Sequence, residues 1–326
     1  MVSNRLNHVS FLVPIHDSVL RVEQKMRAQS DGNHPDLGAA LEHLLASGGK
    51  RVRPAVALLT GGILGAEQEK LVTLGAAIEL LHTATLVHDD LIDGALLRRG
   101  MQTLNARWSP AATVLTGDFI FARAAKLAAE TDSVAVMRLF AETLAIIVNG
   151  ELTQLFTSKG LASREDYFQR IYAKTASMFE LCTAAAALLS PVDAQEVENM
   201  RQMGYNLGMA FQIMDDILDF TGEQATVGKP VASDLRQGLI TLPALYYLEQ
   251  EPEDAYMNAV LHGKLYEDDK FTRLVGSIRA SGAIEASLQE AEKYIDCAVE
   301  TMLKQPDCPQ RQALLELANY IIRRDL

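Results

Sequence analysis

The segment HTATLVHDDLID, residues 82–93, decides the fold, because an apolar helical stretch ends there in three aspartates. A second segment, FQIMDDILD at residues 211–219, has the same layout. In each copy the first and last aspartates are four residues apart, so they lie on one helix face, one turn from each other. Cationic residues follow both copies, Arg98 and Arg99 after the first and Lys229 after the second. This pattern indicates carboxylates and cations around a shared cavity, which a magnesium-bound diphosphate requires.

Helical periodicity runs through almost the whole chain. The predicted helices cover residues 5–29, 35–47, 67–93, 110–130, 133–157, 165–189, 194–220, 240–250, 284–304 and 309–323. Of the 326 residues 48% are hydrophobic but only 6% aromatic, which favours packed helices over sheets. No alternating run is long enough to predict a strand. No low-complexity linker divides the chain, so we predict one all-α domain over residues 1–326, a helical bundle around a deep central cavity.

The composition argues against several classes of protein. A formal net charge of −12 disfavours a nucleic-acid partner, because a phosphate backbone needs a cationic protein face. No stretch approaches the roughly 18 uncharged apolar residues of a membrane span, and the N-terminal residues show no signal-peptide pattern. The three cysteines, Cys182, Cys297 and Cys308, lack metal-ligand spacing and fit reduced thiols. We therefore expect a cytoplasmic protein without a membrane span.

Both aspartate clusters are expected at helix C-terminal ends, with loops at 94–108 and 220–239 after them. The helix dipole disfavours negative charge at such an end, so three carboxylates there destabilise the helix unless cations arrive. A single DDxxD copy is as easily a solvated acidic turn. Two copies, each before a basic loop, favour magnesium, whose ligands would be Asp89 and Asp93 with Asp215, and with Asp219 as a further candidate.

A basic loop, GGKRVRP at 48–54, precedes another helix start. Glycines, cations and a helix N-terminus together suit a phosphate, although an ordinary basic loop is the better reading of this motif alone. Further polar residues lie in apolar helices and could be ordinary core or surface residues: His82, Lys174, Thr175 and Gln212.

Six segments, in this order, resemble the trans-type isoprenyl diphosphate synthases. They are GGKRVRP (48–54), ELLHTATLVHDDLIDGALLRRG (79–100), TGDFIFARA (116–124), AKTA (173–176), FQIMDDILDF (211–220) and GKPVASDLRQG (228–238). The resemblance covers most of the chain and points to a long-chain member. It implies an all-helical isoprenoid-synthase bundle, usually a homodimer, that extends an allylic diphosphate with isopentenyl diphosphate. It also implies magnesium, with up to three ions around the bound diphosphate.

The resemblance assigns roles to individual residues. The magnesium ligands would be Asp89, Asp93 and Asp215, supported by Asp90, Asp216 and Asp219. The residues holding the allylic diphosphate would be Arg98, Lys174, Gln212 and Lys229, with Thr175 steadying the developing cation. The residues binding isopentenyl diphosphate would be Lys50, Arg53, His82 and Arg99. Arg323 and Arg324 resemble, more loosely, a basic tail that closes over that second site. Leu239 stands where many relatives have a lysine, which leaves details of the allylic site open.

Small residues precede the first aspartate motif. Short-chain members of the resembled family place bulky aromatic residues at the positions of Ala84 and Thr85, which blocks the hydrocarbon tail. With Leu81 and Ala77 one and two turns deeper, the tail can pass along this helix. These alanines could instead simply let helices pack closely. We predict a product longer than geranylgeranyl diphosphate.

Alternative functions stay open at this point. A short-chain synthase that stops at the farnesyl or geranylgeranyl length is the nearest one. A class I terpene cyclase also has DDxxD but pairs it with an Asn/Ser/Glu metal motif, whereas the second motif here is DDILD. A non-catalytic subunit that sets the product length of a partner tends to lose one acidic motif, and both are present here. A purely structural bundle leaves six motifs unexplained.

Overall fold

The computed structural model describes residues 10–31, 34–46, 48–98, 100–156, 163–222, 231–264 and 267–324. Helices account for most of these residues, and the all-α prediction is confirmed. The first eight α-helices are α1 (His16–Arg27), α2 (Pro35–Ala46), α3 (Val52–Leu64), α4 (Gln68–Ile92), α5 (Leu104–Arg107), α6 (Pro110–Ala129), α7 (Val134–Phe156) and α8 (Arg164–Ile171). The others described are α9 (Ser177–Leu188), α10 (Ala194–Thr221), α11 (Ser233–Arg236), α12 (Leu242–Gln250), α13 (Ala255–Leu261), α14 (Asp268–Ala280), α15 (Ala283–Leu303) and α16 (Pro309–Arg323).

Helix ends are set by local chemistry. The Ser163 hydroxyl accepts from the backbone N–H of Asp166, whose carboxylate accepts from the Ser163 N–H, so a capping box starts α8. Ser109 caps α6, which begins at Pro110 as predicted, because proline has no N–H to leave unsatisfied. The N-terminal prediction was too simple: Ser10–Ile15 is a 3-10 helix containing Pro14, and the α-helix begins only at His16.

Other predictions also need correction. The helices α13 and α14 were missed, and only the start of α3 was predicted. The stretches predicted as loops contain α5 and a short hairpin at 94–108 and α11 at 220–239. The hairpin pairs β1 (Leu97–Arg98) with β2 (Met101–Gln102), and strands of two residues are too short to show an alternating pattern. The predicted helix at 165–189 is interrupted by a π-helical turn at Tyr172–Ala176.

The backbone contacts divide the chain into two compact units. Unit 1 comprises Met1–Thr143, Met178–Arg201 and Met302–Glu316, and unit 2 comprises Leu144–Ser177, Gln202–Thr301 and Leu317–Leu326. Each unit is therefore assembled from distant parts of the sequence. The single domain and the central cavity stay predictions.

Helix α4 is the core of unit 1. It packs most extensively against α6 and also against α3 and α1. Its apolar side chains are buried along nearly its whole length. By length and composition it could cross a membrane, but most of its apolar stretch is buried inside the structure, as in the core helix of a globular unit.

Candidate active site

The first aspartate motif lies at the C-terminal end of α4, as predicted. Asp90 is buried, 5% exposed, and its Oδ1 accepts hydrogen bonds from Nε and Nη2 of Arg98 at 2.8 and 2.7 Å. Asp89 is half-buried, and Asp93 is exposed at the C-cap, where its N–H donates to the Asp89 carbonyl oxygen. The motif thus divides into one buried carboxylate held by a protein cation and two more accessible carboxylates.

The residue before this motif, His88, fixes the helix end against α6. Its Nε2 lies 3.2 Å from the Val114 carbonyl oxygen and 3.5 Å from Oδ1 of Asp118. A Cβ at Gly117 would lie 2.2 Å from the same nitrogen, so only glycine leaves room for this ring. The glycine of the TGDFIFARA segment therefore lets α6 approach the end of α4.

The second motif lies near the C-terminal end of α10, within unit 2. Arg324 forms an ion pair with Asp215, Nη1 to Oδ1 at 2.8 Å. Its guanidinium also lies 4.1 Å from the centre of the Phe211 ring and donates to the Phe211 carbonyl oxygen. The structure therefore places Arg324 on the second aspartate motif. That this basic tail closes over the isopentenyl diphosphate, as the resemblance implies, stays a prediction.

Asp216 is the centre of a buried hydrogen-bond network. It accepts from the Tyr167 hydroxyl and from Gln212 Nε2, both at 2.8 Å, and the Thr175 hydroxyl donates to Gln212 Oε1 at 2.6 Å. Burial raises the pKa of Asp216 to about 7, although both hydrogen bonds oppose the rise. Burial also raises the pKa of Tyr167, with the Asp216 carboxylate adding to it. The network orients two predicted substrate-binding residues, Thr175 and Gln212, through one carboxylate.

The π turn at Tyr172–Ala176 carries Lys174 and Thr175. π turns inside α-helices are rare and frequent at functional sites. Lys174 is exposed and its Nζ lies 3.4 Å from Oε1 of Glu151, while Thr175 is buried. The turn thus places Lys174 at the surface and its neighbour Thr175 in the interior.

Asp219 has a different role from Asp215. Its Oδ1 accepts from the backbone N–H and hydroxyl of Ser233, and its Oδ2 accepts from the N–H of Asp234, so it binds the start of α11. The guanidinium of Arg279 donates to the carbonyl oxygen of Phe220 at the same helix end. Two protein cations, Arg279 and Arg324, therefore already contact this helix end, which weakens the dipole argument for a metal.

The predicted isopentenyl diphosphate residues that are described lie in unit 1. Lys50 and Arg53 flank Arg51 at the start of α3, and the Arg53 guanidinium lies 5.5 Å from the Phe179 ring centre. His82 is half-buried on α4. The other two predicted basic residues, Arg99 and Lys229, lie outside the described residues.

Comparison with known proteins identifies the family. The profile of the family described as "Polyprenyl synthetase" matches residues 34–278. The chain belongs to this family. The prediction that this chain is a prenyltransferase is thereby confirmed.

Relatives and solved structures cover almost the whole chain. "Heptaprenyl diphosphate synthase component 2" of Geobacillus stearothermophilus is 36% identical over 95% of this chain and 97% of its own length. "Octaprenyl diphosphate synthase" of Escherichia coli (strain K12) is 35% identical over 87% of this chain and 88% of its own. The crystal structure of a polyprenyl synthase from Caulobacter crescentus CB15, complexed with calcium and isoprenyl diphosphate, has a TM-score of 0.90 at 35% identity and covers 97% of this chain and 98% of that one.

The donors of this polyprenyl synthetase fit magnesium together with a diphosphate. No group of three or more His, Cys, Asp or Glu side chains that could hold a metal occurs among the described residues. Magnesium typically takes one or two carboxylates and completes its shell with substrate phosphates and water. Asp89 and Asp93 in unit 1, and Asp215 in unit 2, offer such oxygen donors, so diphosphate oxygens would complete the shell of an ion at either motif.

The predicted chain-length residues line one helix. Ala77, Leu81 and Ala84 on α4 are fully buried, and Thr85 is half-buried with its hydroxyl donating to the His82 carbonyl oxygen. All four side chains are small or aliphatic, and they lie on the turns of α4 that precede Asp89. Their role in product length stays a prediction.

Two residues that matter here were missed by the sequence analysis. Tyr167 is a lone tyrosine in an amphipathic helix, with no motif spacing that marks it. Glu151, which faces Lys174, is one of two acidic residues on α7. Only their contacts across the folded unit distinguish them.

Proposed function

We propose that this protein is a magnesium-dependent trans-polyprenyl diphosphate synthase whose product is longer than geranylgeranyl diphosphate. The observation that carries the proposal is the repeated aspartate motif at two helix ends, each with more accessible carboxylates beside a buried one. Membership of the polyprenyl synthetase family supports it. The long-chain names of the relatives agree with the predicted product class.

The substrates would be isopentenyl diphosphate and an allylic diphosphate. Asp89, Asp93 and Asp215 would hold magnesium, which when bound supplies positive charge to the departing pyrophosphate. Arg98 and Lys174 would hold the allylic diphosphate by charge-assisted hydrogen bonds. Lys229, which lies outside the described residues, joins them in the proposal.

The chemistry needs no protein nucleophile. The allylic C–O bond breaks and its electron pair leaves with pyrophosphate; the double bond of isopentenyl diphosphate then forms the new C–C bond. A proton is lost to the departing pyrophosphate, which restores a double bond. The Thr175 hydroxyl oxygen would steady the developing cation and Gln212 would help to hold the allylic diphosphate, because the network on Asp216 fixes the direction of both side chains.

Small residues on α4 support a long product. At Ala84 and Thr85, just before the aspartates, there is no bulky ring, and Leu81 and Ala77 continue the row towards the start of α4. We propose that the hydrocarbon tail grows along this face.

We propose that the chain acts in the cytoplasm as a homodimer. The three cysteines are free thiols, as in a reducing compartment. Exposed apolar side chains on α6 (Val114 and Leu115) and on α7 (Val148 and Leu152) provide apolar surface for a second copy.

A product assay tests the function. Purified protein is incubated with magnesium, farnesyl diphosphate and labelled isopentenyl diphosphate, and the dephosphorylated products are sized by chromatography. We expect a ladder that ends beyond the geranylgeranyl length and disappears with EDTA. Products that stop at the farnesyl or geranylgeranyl length would establish the short-chain alternative.

A second candidate function is that of one component of a two-component synthase, which the name of the Geobacillus relative favours. In that case the purified chain alone would show no turnover with any allylic primer, and activity would return with a partner protein. Turnover by the chain alone excludes it.

A further inference from the structure

Resting on the proposed function, we propose that Arg51 is a positioning residue for the isopentenyl diphosphate subsite, acting through its ion pairs with Glu23 and Glu79. Arg51 itself touches no substrate in this proposal. It fixes the backbone between Lys50 and Arg53.

Arg51 is a buried cation between two buried carboxylates. Its Nε donates to Oε1 of Glu23 at 2.8 Å, and its Nη1 donates to Oε1 of Glu79 at 2.9 Å. The three side chains are only 6%, 10% and 7% exposed. Burial opposes the charge of Arg51, but Glu79 and Glu23 outweigh it and raise the pKa of the guanidinium. Because the Arg51 guanidinium is charged and faces two buried carboxylates, it is not directed outwards to bind a diphosphate.

The backbone at Arg51 is in an uncommon conformation. Its φ of +49° and ψ of +36° lie in the left-handed region, which disfavours residues with a Cβ. Arg51 is also the N-cap of α3, a position that usually holds a small polar residue, and no side-chain cap bond forms there. Because such a conformation persists only where surrounding contacts impose it, the two ion pairs are its evident cause.

The residues of these ion pairs are close in sequence to all three described residues of the predicted subsite. Lys50 precedes Arg51 directly, and Arg53 follows it by two positions in the first turn of α3. Glu79 is three residues before His82, so both lie on one face of α4. A shift of the Arg51 backbone would therefore move two cations relative to the histidine.

The test measures steady-state constants of Arg51→Met, which keeps length but removes charge, and of Arg51→Lys, which keeps charge. For Arg51→Met we expect KM for isopentenyl diphosphate to rise about tenfold or more, with kcat and the KM for the allylic diphosphate within about twofold. Arg51→Lys should recover part of the loss. Glu79→Gln, which preserves shape, should raise the same KM if Arg51→Met does not fold.

Arg201→Met is the control, because Arg201 also forms ion pairs with two carboxylates, Glu180 and Glu198, although its side chain is more exposed than that of Arg51. It should lower Tm without changing either KM. Arg51 variants that lower Tm as the control does, with both KM values unchanged, would overturn the proposal.

A failure of the proposed function can be distinguished from a failure of the positioning role of Arg51. If the unmodified chain does not consume isopentenyl diphosphate, or if Arg53→Met leaves its KM unchanged, the subsite itself is wrong. If Arg53→Met raises that KM and Arg51→Met does not, only the positioning role is wrong.

Discussion

In both aspartate motifs, the first and second aspartates differ in burial in the same way. The second aspartate of each motif, Asp90 or Asp216, is buried and hydrogen-bonded inside the protein. The first aspartate, Asp89 or Asp215, is half-buried at the helix end. The sequence shows three identical side chains in each motif and cannot rank them, because their burial depends on which helices pack around them.

Arg324 forms an ion pair with Asp215, a carboxylate that is proposed to bind magnesium. We predict that Arg324→Met tightens the binding of Mn²⁺ at Asp215 severalfold, because the ion no longer displaces a paired cation and no longer feels its repulsion. Titration followed by electron paramagnetic resonance, in the presence of pyrophosphate, measures this. Arg323→Met, one position earlier, serves as the control, and equal affinities in the two variants would contradict the prediction.

At the scale of elements, the site depends on a π turn that α7 supports. A Cβ at Gly150 would lie 2.5 Å from the Cβ of Ala173, inside the turn, so Gly150→Ala forces the backbone around Lys174 and Thr175 to move. We predict a loss of about 1–3 kcal/mol in the free energy of unfolding and up to about 100-fold in kcat.

Gly276→Ala on α14 is the matched control for Gly150→Ala. Its added Cβ meets nothing within 4 Å, so removing a helical glycine should be neutral or stabilising by up to about 1 kcal/mol. Denaturant unfolding and turnover of both variants give the comparison. A Gly150→Ala protein as stable and as active as the control would contradict the assigned packing.

Helix α4 also carries the prediction on product length. A phenylalanine at Ala84, a fully buried position one turn before the aspartates, should obstruct the growing tail. We predict that Ala84→Phe shifts the products of farnesyl diphosphate elongation to shorter lengths, with kcat for the first condensation reduced by less than about tenfold. Chromatography of dephosphorylated products measures it, and an unchanged ladder would show that the tail lies elsewhere.

Much of the helical order could be predicted, because apolar periodicity and end signals are local. Helix α4 was placed within one residue at each end, since an apolar run stops at the aspartates. Helix α14 was missed although Phe271, Leu274 and Val275 have helical spacing. The π turn could not be predicted, because its residues also suit an ordinary helix and only packing against α7 separates the two.

The residues of the candidate site could be predicted where the residue type and its motif are enough to indicate the chemistry. Asp89, Asp93 and Asp215 follow from their motif, whereas Arg51 was read only as one more cation in a basic loop. Whether a charged residue is buried, and with which partner, depends on contacts between segments far apart in sequence, such as Arg51 and Glu79.

At the scale of the whole molecule, exposed apolar residues bear on assembly. On α7, Val148 and Leu152 are four residues apart on one face, and each is 44% exposed. We predict that Leu152→Glu weakens a homodimer at least tenfold, because a buried unpaired carboxylate is costly. Light scattering should give about twice 35.7 kDa for the unmodified chain and a lower mass for the variant.

Leu303→Glu controls for the surface charge in this experiment, because Leu303 is 56% exposed at the end of α15, on a different helix. It should leave the measured mass unchanged. A single-chain mass for the unmodified protein would contradict the homodimer outright.

The proposed mechanism requires both aspartate motifs to hold divalent ions on a diphosphate. The most direct test is a crystal grown with Mn²⁺ and an unreactive allylic thiodiphosphate, measured at the manganese absorption edge. We predict anomalous peaks within bonding distance of Asp89 and Asp93 and of Asp215, each also bonded to a diphosphate oxygen. Peaks beside only one motif, or carboxylates of either motif turned away from the diphosphate, would contradict the account.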